Sequence, residues 1–414
     1  MDKIRSDILI IGGGAAGLSA ALAASESGDT SVTLIDDNPK LGGQIWRAEL
    51  GQTKSPEALR LINAVDAERI RIINNAQVFA MVGDKCLIAQ APAGSVELGF
   101  GRLIIATGAR ERFLPFPGWT LPNVFGAGGL QAVVKGGFSV ARKRIVVAGS
   151  GPLLLVVAEY LKAKGANVVA IAEQASASKI NKFAAGLWRT PAKIVQAAVL
   201  RAKLVGTLYL NSCWVTSATG TDKLEKVELT RHERKWAVDC DILACGFNLM
   251  PNTELAALLG CRIENDFVVV DDEQRTSCED VFCAGEPTGI GGGEASLIEG
   301  RIAGLAAAGE TARAAELFAK RDSTRQFAAA LENAFSLRSE LKTLSVDETI
   351  VCRCEDVTYG RLLEFSDFRD AKLQTRCGMG SCQGRICGSA TEFMFGWKPG
   401  SIRPPIFPVK MEDL

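Results

Sequence analysis

The chain has 414 residues and carries 47 Lys and Arg against 47 Asp and Glu, a formal charge of zero. This length favours two or three domains and allows a large core. The even balance, with no long basic or acidic block, argues against nucleic-acid binding and polybasic attachment to membranes. It gives little electrostatic protection against association, which fits one member of a larger assembly.

The first element could be mistaken for an export signal: "MDKIR" and the apolar run "ILIIGGGAAGLSAALAAS" have a basic start, an apolar core and small residues at the end. A nucleotide-binding unit accounts for the same residues better. Asp7–Ile11 reads as a strand, Gly12-x-Gly14-x-x-Gly17 follows it, and Ala15 and Ala16 open an Ala-rich helix. A second strand, "SVTLID", ends at Asp36 with Asp37 beside it. Gly12 permits the tight turn, Gly14 lets backbone approach a pyrophosphate, and Gly17 lets helix and strand pack closely. The helix N-terminus offers unpaired N–H groups to phosphates, and Asp36 can accept from a ribose. The fingerprint alone leaves NAD and FAD both open. With no export signal and no uninterrupted apolar run of 18 residues, the expected compartment is the cytosol, where clustered cysteines bind metal or do redox work.

"LGGQIW", with Gly42, Gly43 and Gln44, resembles the segment that runs beside FAD in flavoproteins with two dinucleotide domains. "GRLIIATGAR", with Ala106, Thr107 and Gly108, resembles their ATG strand end. These resemblances imply FAD. The disulfide reductases of that group carry a redox cysteine pair next to the flavin; "LGGQIW" has none.

Next, "RIVVAGSGPLLLVVAEYLKAKGANVVAIAE" repeats the plan: a strand at Ile145–Ala148, Gly149 and Gly151, a helix, and a strand ending at Glu173. The third glycine position holds Leu154, which is expected to push the helix from the strand or obstruct a pyrophosphate. NAD(P), another adenine nucleotide or an empty scaffold all remain open. The single histidine, His232, lies in "TRHERKW", read as a solvated hairpin, and no catalytic residue is assigned. Cys240 and Cys245 read as core, as do Cys86, Cys213, Cys261, Cys278 and Cys283. "DILACGFNLMPNTEL" resembles the strand that returns to the FAD domain. "EDVFCAGEPTGIGGGEASLIEGRIAG" resembles the late flavoprotein motif, in which Gly285 and an acid approach the ribityl–phosphate region. Glu286 departs from the usual Asp.

After a helical stretch from Glu294 to about Leu344, five cysteines fall close together: Cys352, Cys354, Cys377, Cys382 and Cys387. Cys-x-Cys is tighter than most zinc pairs, and no histidine is near. A [2Fe–2S] centre, which needs four thiolates, suits the layout better; zinc and plain packing are the alternatives. Arg353, Arg376 and Arg385, with backbone N–H groups of "GMGSCQGR", are placed to offset its charge. "VCRCEDVT…TRCGMGSCQGRIC" resembles the domain named for bacterioferritin-associated ferredoxin. With the FAD motifs before it, it resembles flavoprotein subunits of opine oxidases, hydrogen cyanide synthase and proline or hydroxyproline dehydrogenases. That resemblance implies Cys352, Cys354, Cys382 and Cys387 as ligands, with Cys377 in reserve.

The expected fold is α/β. Residues 1–118 and 246–344 form a Rossmann-like FAD domain with linking helices, 119–245 an inserted NAD-like domain, and 345–414 a small [2Fe–2S] domain and tail. The resemblance implies an electron-transfer subunit of a secondary-amine dehydrogenase. Its partners would be a second flavin-bearing subunit that oxidises the amine, a respiratory acceptor and a small third subunit. It would be cytoplasmic, peripheral at the inner membrane face through its complex. The alternatives are a self-contained NAD(P)H-dependent reductase that feeds a protein through the cluster, and an iron-delivery module.

Overall fold

The computed structural model describes residues 2–28, 30–49, 52–67, 70–189, 191–398, 400 and 402–413. The chain divides into two compact units: Met1–Arg110, Met250–Ala328 and Ser401–Leu414 form the first, Glu111–Leu249 and Ala329–Gly400 the second. Residues 329–344 were expected with the FAD domain and lie in the second unit. The 401–414 stretch was expected with the cysteine module and belongs to the first. There the Ile406 N–H donates to the Phe79 carbonyl at 2.8 Å and the Ser95 hydroxyl to the Asp413 carbonyl at 2.7 Å.

The first unit is built on a seven-stranded sheet. Asp2–Ile11 lies at its centre, pairing in parallel with Val32–Ile35 on one side and Gly94–Ile105 on the other. Val281–Cys283 adds in parallel to Gly94–Ile105, whereas Cys86–Ala91 and Gln77–Met81 extend the sheet as an antiparallel meander. Apolar residues on both faces of Ile8–Ile11 reflect a central parallel strand covered from both sides. Helix Ala15–Ser25 is apolar nearly all round because helix Gly292–Ala308 crosses it at close range. Glycine makes that approach possible: a Cβ on Gly300 would lie 2.1 Å from the Ala16 carbonyl oxygen, and one on Gly304 2.3 Å from that of Ala20.

The second unit repeats the parallel plan in five strands, ordered Leu208–Asn211, Asn167–Glu173, Arg144–Ser150, Ile242–Phe247 and Val124–Gly126. A three-stranded antiparallel sheet, Cys213–Thr219, Lys226–Arg231 and Arg234–Asp239, packs into the same core through Val215, Leu229 and Phe247. His232 sits exposed in the turn of its hairpin, at φ +54°, as a solvated hairpin requires. Cys240 and Cys245 are fully buried, whereas Cys86 and Cys278 are only half-buried and so are not the core residues expected. The cysteine module completes this unit. It combines a strand pair, Ile350–Cys352 with Val357–Thr358, and helices Tyr359–Leu362, Phe368–Thr375 and Cys387–Phe395. It is tied down by the Trp119 indole N–H, which donates to the Ile350 carbonyl at 2.5 Å, and by the Ser345 hydroxyl on the Pro115 carbonyl at 3.0 Å.

Candidate functional site

In the first unit the three fingerprint glycines have separate physical reasons. Gly12 has φ +112°, and a Cβ there would lie 2.2 Å from the Ala106 carbonyl oxygen. A Cβ on Gly17 would lie 1.7 Å from the Gly12 carbonyl oxygen, so helix and turn close only on glycine. Gly14 differs: its Cβ would meet only Gly43 Cα, at an ordinary 3.8 Å. No contact within the chain demands glycine at 14, which leaves close approach by a ligand as the reason. Gly14 is also the uncapped start of helix Ala15–Ser25, with Ala15 and Ala16 buried in its first turn. An uncapped N-terminus leaves amide donors for a phosphate.

Asp36 is buried at the end of its strand. Its Oδ2 accepts from the Gly13 N–H at 2.5 Å, and Oδ1 accepts from the Asn38 backbone and side-chain amides at 2.7 and 2.9 Å. It therefore clamps the loop. Asp37 is exposed and accepts from the Asn38 side chain at 2.6 Å. Gly42 donates to the Gly13 carbonyl at 2.8 Å, and Gly42 and Gly43 both have positive φ, which brings "LGG" alongside Gly14. Gln44 is exposed and accepts from Arg47 at 2.7 Å. Ala106 is buried behind the Gly12 turn. Thr107 exchanges hydrogen bonds with Asn252 at 2.6 and 2.9 Å, and Gly108, at φ +68°, opens onto free space.

Gly285, at φ +81°, passes close to Ala16. Glu286 Oε1 accepts from the Gly292 N–H at 2.9 Å, while its Oε2 is buried with no partner. Burial pushes its carboxyl up to about 7. Arg47 Nε is also buried and unpartnered. Buried orphan groups of this kind are rare in finished structures. Here they flank a glycine cradle with free helix amides, so the residues fit FAD, which Gly12–Gly17, Asp36, Gly42–Gly43 and Glu286 would hold.

Glu299 was not foreseen. It is buried in helix Gly292–Ala308, where it accepts from the Gly285 N–H at 3.0 Å, the Thr288 hydroxyl at 2.8 Å and Arg325 at 3.0 Å. It holds the Gly285–Thr288 turn in place. The available signal was an acid within the largely apolar stretch 295–300.

In the second unit the phosphate-type loop keeps its glycines. Gly149 has φ +140° against the Gly246 carbonyl, and Glu173 accepts from the Gly151 and Ala175 N–H groups, both at 2.7 Å. Leu154 does not obstruct this loop as expected. It is fully buried in the core, and the absence of a side chain at Gly246 gives it room. The crevice is filled by Phe335. Its carbonyl accepts from the Ser150 hydroxyl at 2.7 Å and from the Asn248 amide at 3.4 Å, and its Cβ and Cγ stand 3.9 Å from where a Gly151 Cβ would be. Ser336 and Arg338 continue across the strand ends on Gln174, at 3.2 and 3.1 Å. Residues 335–338 therefore cover the strand ends where a dinucleotide would cross.

In the cysteine module, the Cys352, Cys377 and Cys387 sulfurs all lie within 4.8 Å of one another and are buried. Cys382 lies beside Cys387 and Cys354 and extends the group. A cavity of about 510 Å³ opens beside them, lined by Cys352, Cys354, Cys382 and Cys387 with Phe113 and Trp119 among others, but not by Cys377. Cys352 is held down to about 2 by hydrogen bonds from the Cys377 and Cys387 thiols, and its sulfur also accepts from the Gly378 and Glu355 N–H groups. Cys377 is correspondingly pushed up to about 12. Cys382 is lowered by Cys387 and by the N–H groups of Ile386 and Gly384. Gly380 is required here, since a Cβ would lie 2.3 Å from that of Cys354. Of the three arginines expected to offset charge, Arg353 lines the cavity. Arg376 is instead drawn off to Glu355, at 2.7 Å.

The model for the pyridine nucleotide-disulphide oxidoreductase family matches residues 6–312. The chain belongs to that family. Its members bind FAD, and membership makes this chain an FAD-dependent oxidoreductase. The chain is 31% identical to hydrogen cyanide synthase subunit HcnB of Pseudomonas aeruginosa, over 92% of this chain and 90% of the relative. It is also 31% identical to an opine oxidase subunit of Rhizobium meliloti, over 99% and 87%. The crystal structure of L-proline dehydrogenase from P. horikoshii shares the fold over 100% of this chain and 80% of its own, at a TM-score of 0.72 and 20% identity. Cys240 and Cys245 are buried in the core, where desolvation pushes both thiols up. Among the described residues, no helix is long and apolar enough to cross a membrane.

Proposed function

We propose that this chain is the FAD- and [2Fe–2S]-binding electron-transfer subunit of a multi-subunit secondary-amine dehydrogenase of the opine, proline/hydroxyproline or glycine class. The observation that carries the reading is the thiol-lined cavity in a chain that also holds a complete flavin cradle. A flavin takes up electrons in pairs and a [2Fe–2S] centre passes them singly, so a chain with both links a two-electron oxidation to a one-electron carrier. Cys352, Cys354, Cys382 and Cys387 would hold the iron, because they face the cavity. Cys377 stands behind them as a thiol donor. The N–H groups on Cys352 and Cys382 favour added electron charge on the sulfurs.

The amine would be oxidised on a separate flavin-bearing subunit, with a small third subunit in the complex. Electrons would leave to a respiratory acceptor from a cytoplasmic complex at the inner membrane face. The relatives named as subunits support this arrangement. Phe335, packed beside Gly151, speaks against the self-contained NAD(P)H reductase.

The test is anaerobic affinity purification from the native host, with iron, acid-labile sulfide and flavin analysis and an amine screen against an artificial acceptor. The reading expects about two irons and two sulfides per chain and a co-purifying flavoprotein. Zinc at the thiols, or flavin bleaching by NADH alone, would overturn it.

A further inference from the structure

The zero net charge conceals a strongly uneven stretch. Between Glu173 and Asp222 there is no carboxylate, yet there are six basic residues: Lys179, Lys182, Arg189, Lys193, Arg201 and Lys203. The stretch contains the helices Ala177–Gly186 and Pro191–Lys203, joined by the turn Leu187–Arg189.

Helix Pro191–Lys203 is apolar on the wrong side. Its inner stripe, Ala197 and Leu200 continuing to buried Leu204, faces the protein as it should. The opposite face of such a helix is ordinarily polar. Here it presents Ile194, Val195, Ala198, Val199 and Ala202, all exposed. At about 100° per residue they span an arc of about 140°. Arg201 and Lys203 lie just outside its two edges. Val195 is 61% exposed, Trp188 in the preceding turn 69% and Val205 just beyond the helix 76%. Of the cations, Lys203 pairs with Glu159 on the neighbouring helix at 2.8 Å, and Arg201 lies over the Tyr209 ring at 4.5 Å.

We propose that the exposed face of Pro191–Lys203, with Trp188, is a docking surface for an anionic lipid bilayer. An apolar arc edged by cations, with an interfacial Trp, is what lies flat in a headgroup layer. The excess of cations over a long carboxylate-free stretch favours a uniformly anionic surface over a protein face of mixed charge. The proposal departs from the expectation drawn from net charge. It rests on the proposed delivery of electrons to a respiratory acceptor only for its purpose, not for its geometry.

The experiment uses the full FAD-loaded chain and needs neither substrate nor cluster. Co-sedimentation is measured with phosphatidylcholine vesicles, with and without about one third phosphatidylglycerol. Binding is expected only with the anionic lipid, falling in high salt. Each basic residue neutralised, as in Lys182→Gln or Arg201→Gln, should lower the partition coefficient roughly fivefold. The double variant Val195→Glu/Val199→Glu should abolish binding with flavin absorbance unchanged. As a check independent of the double variant's folding, brominated lipid should quench the parent's fluorescence more than that of Trp188→Phe. Equal binding to neutral vesicles, no binding to either, or a double variant that still sediments while losing a protein partner would each overturn the proposal. Iron, sulfide and flavin content decide the electron-transfer reading separately.

Discussion

The Ser150 hydroxyl donates to the Phe335 carbonyl at 2.7 Å, so a residue of the phosphate-type loop is bonded to a segment nearly two hundred residues away. In a working dinucleotide domain that loop is left free for the ligand. Two outcomes follow. Millimolar NADH or NADPH, mixed anaerobically with the FAD-loaded chain, should leave flavin absorbance unchanged for minutes; rapid bleaching would mean that the 335–338 segment swings aside. Ser150→Ala should lower the denaturation free energy by about 2 kcal/mol, since the buried hydroxyl donates to Phe335 and accepts from Gln174, measured in urea.

Gly14 offers a test that separates folding from binding. Gly17 admits no side chain without moving backbone, so its variants would fail for structural reasons. At Gly14 the backbone is extended, φ −80°, and an added Cβ meets nothing closer than 3.8 Å. Gly14→Ala and Gly14→Val should therefore fold with near-parental melting in the apo form and lose bound flavin. Full flavin occupancy in Gly14→Val would show that the pyrophosphate does not pass over this residue.

The cysteines are separated by a similar contrast. Cys377 belongs to the buried trio yet does not line the cavity; Cys354 lines the cavity yet is exposed. Cys377→Ser should keep iron and acid-labile sulfide near the parental level. Cys377→Ala, which removes the donor, should shift the centre to lower potential, because a hydrogen bond to the Cys352 sulfur is lost. Cys354→Ser should lose most of the iron. The reverse pattern would move the centre inward, onto Cys352, Cys377, Cys382 and Cys387.

The contributions readable from sequence were those set by short-range geometry. Gly12, Gly14 and Gly17 act within one turn, and Asp36 closes on Gly13 of the same unit. Pairing two nucleotide folds also followed, because each is a local strand–turn–helix pattern. What escaped depends on distant chain crossing. Nothing around Phe335 marks it as the cover of Gly151. Leu154 read as an obstruction because its opposite neighbour, Gly246, comes from a strand about ninety residues later. The return of residues 402–413 to the first unit, and the distinction between Cys354 and Cys377, were likewise decided by packing. The exposed apolar face of Pro191–Lys203 was legible in its spacing, but net charge masked it.

Glu173 gives a pH dependence whose sign can be worked out. Burial raises its carboxyl from an ordinary 4.5 to about 7, against the opposing effect of the Ala175 and Gly151 N–H groups. Between these values the folded chain holds a proton that the unfolded chain has released. Stability associated with this group is therefore fully present below about 4.5 and is lost as pH rises through 7. A shift of this size corresponds to about 3 kcal/mol. Glu286 in the FAD-free chain moves in the same direction to the same value, so the two should act together. Urea denaturation of the apoprotein between pH 5 and 8 should show stability falling up to about pH 7 and levelling off above it. Glu173→Gln cannot titrate and should roughly halve the slope, although it destabilises the fold at acid pH by leaving one of the two amides poorly matched. A slope unchanged by Glu173→Gln would mean that this carboxyl is ionised in the folded chain throughout, and that the Gly151 and Ala175 amides outweigh its burial.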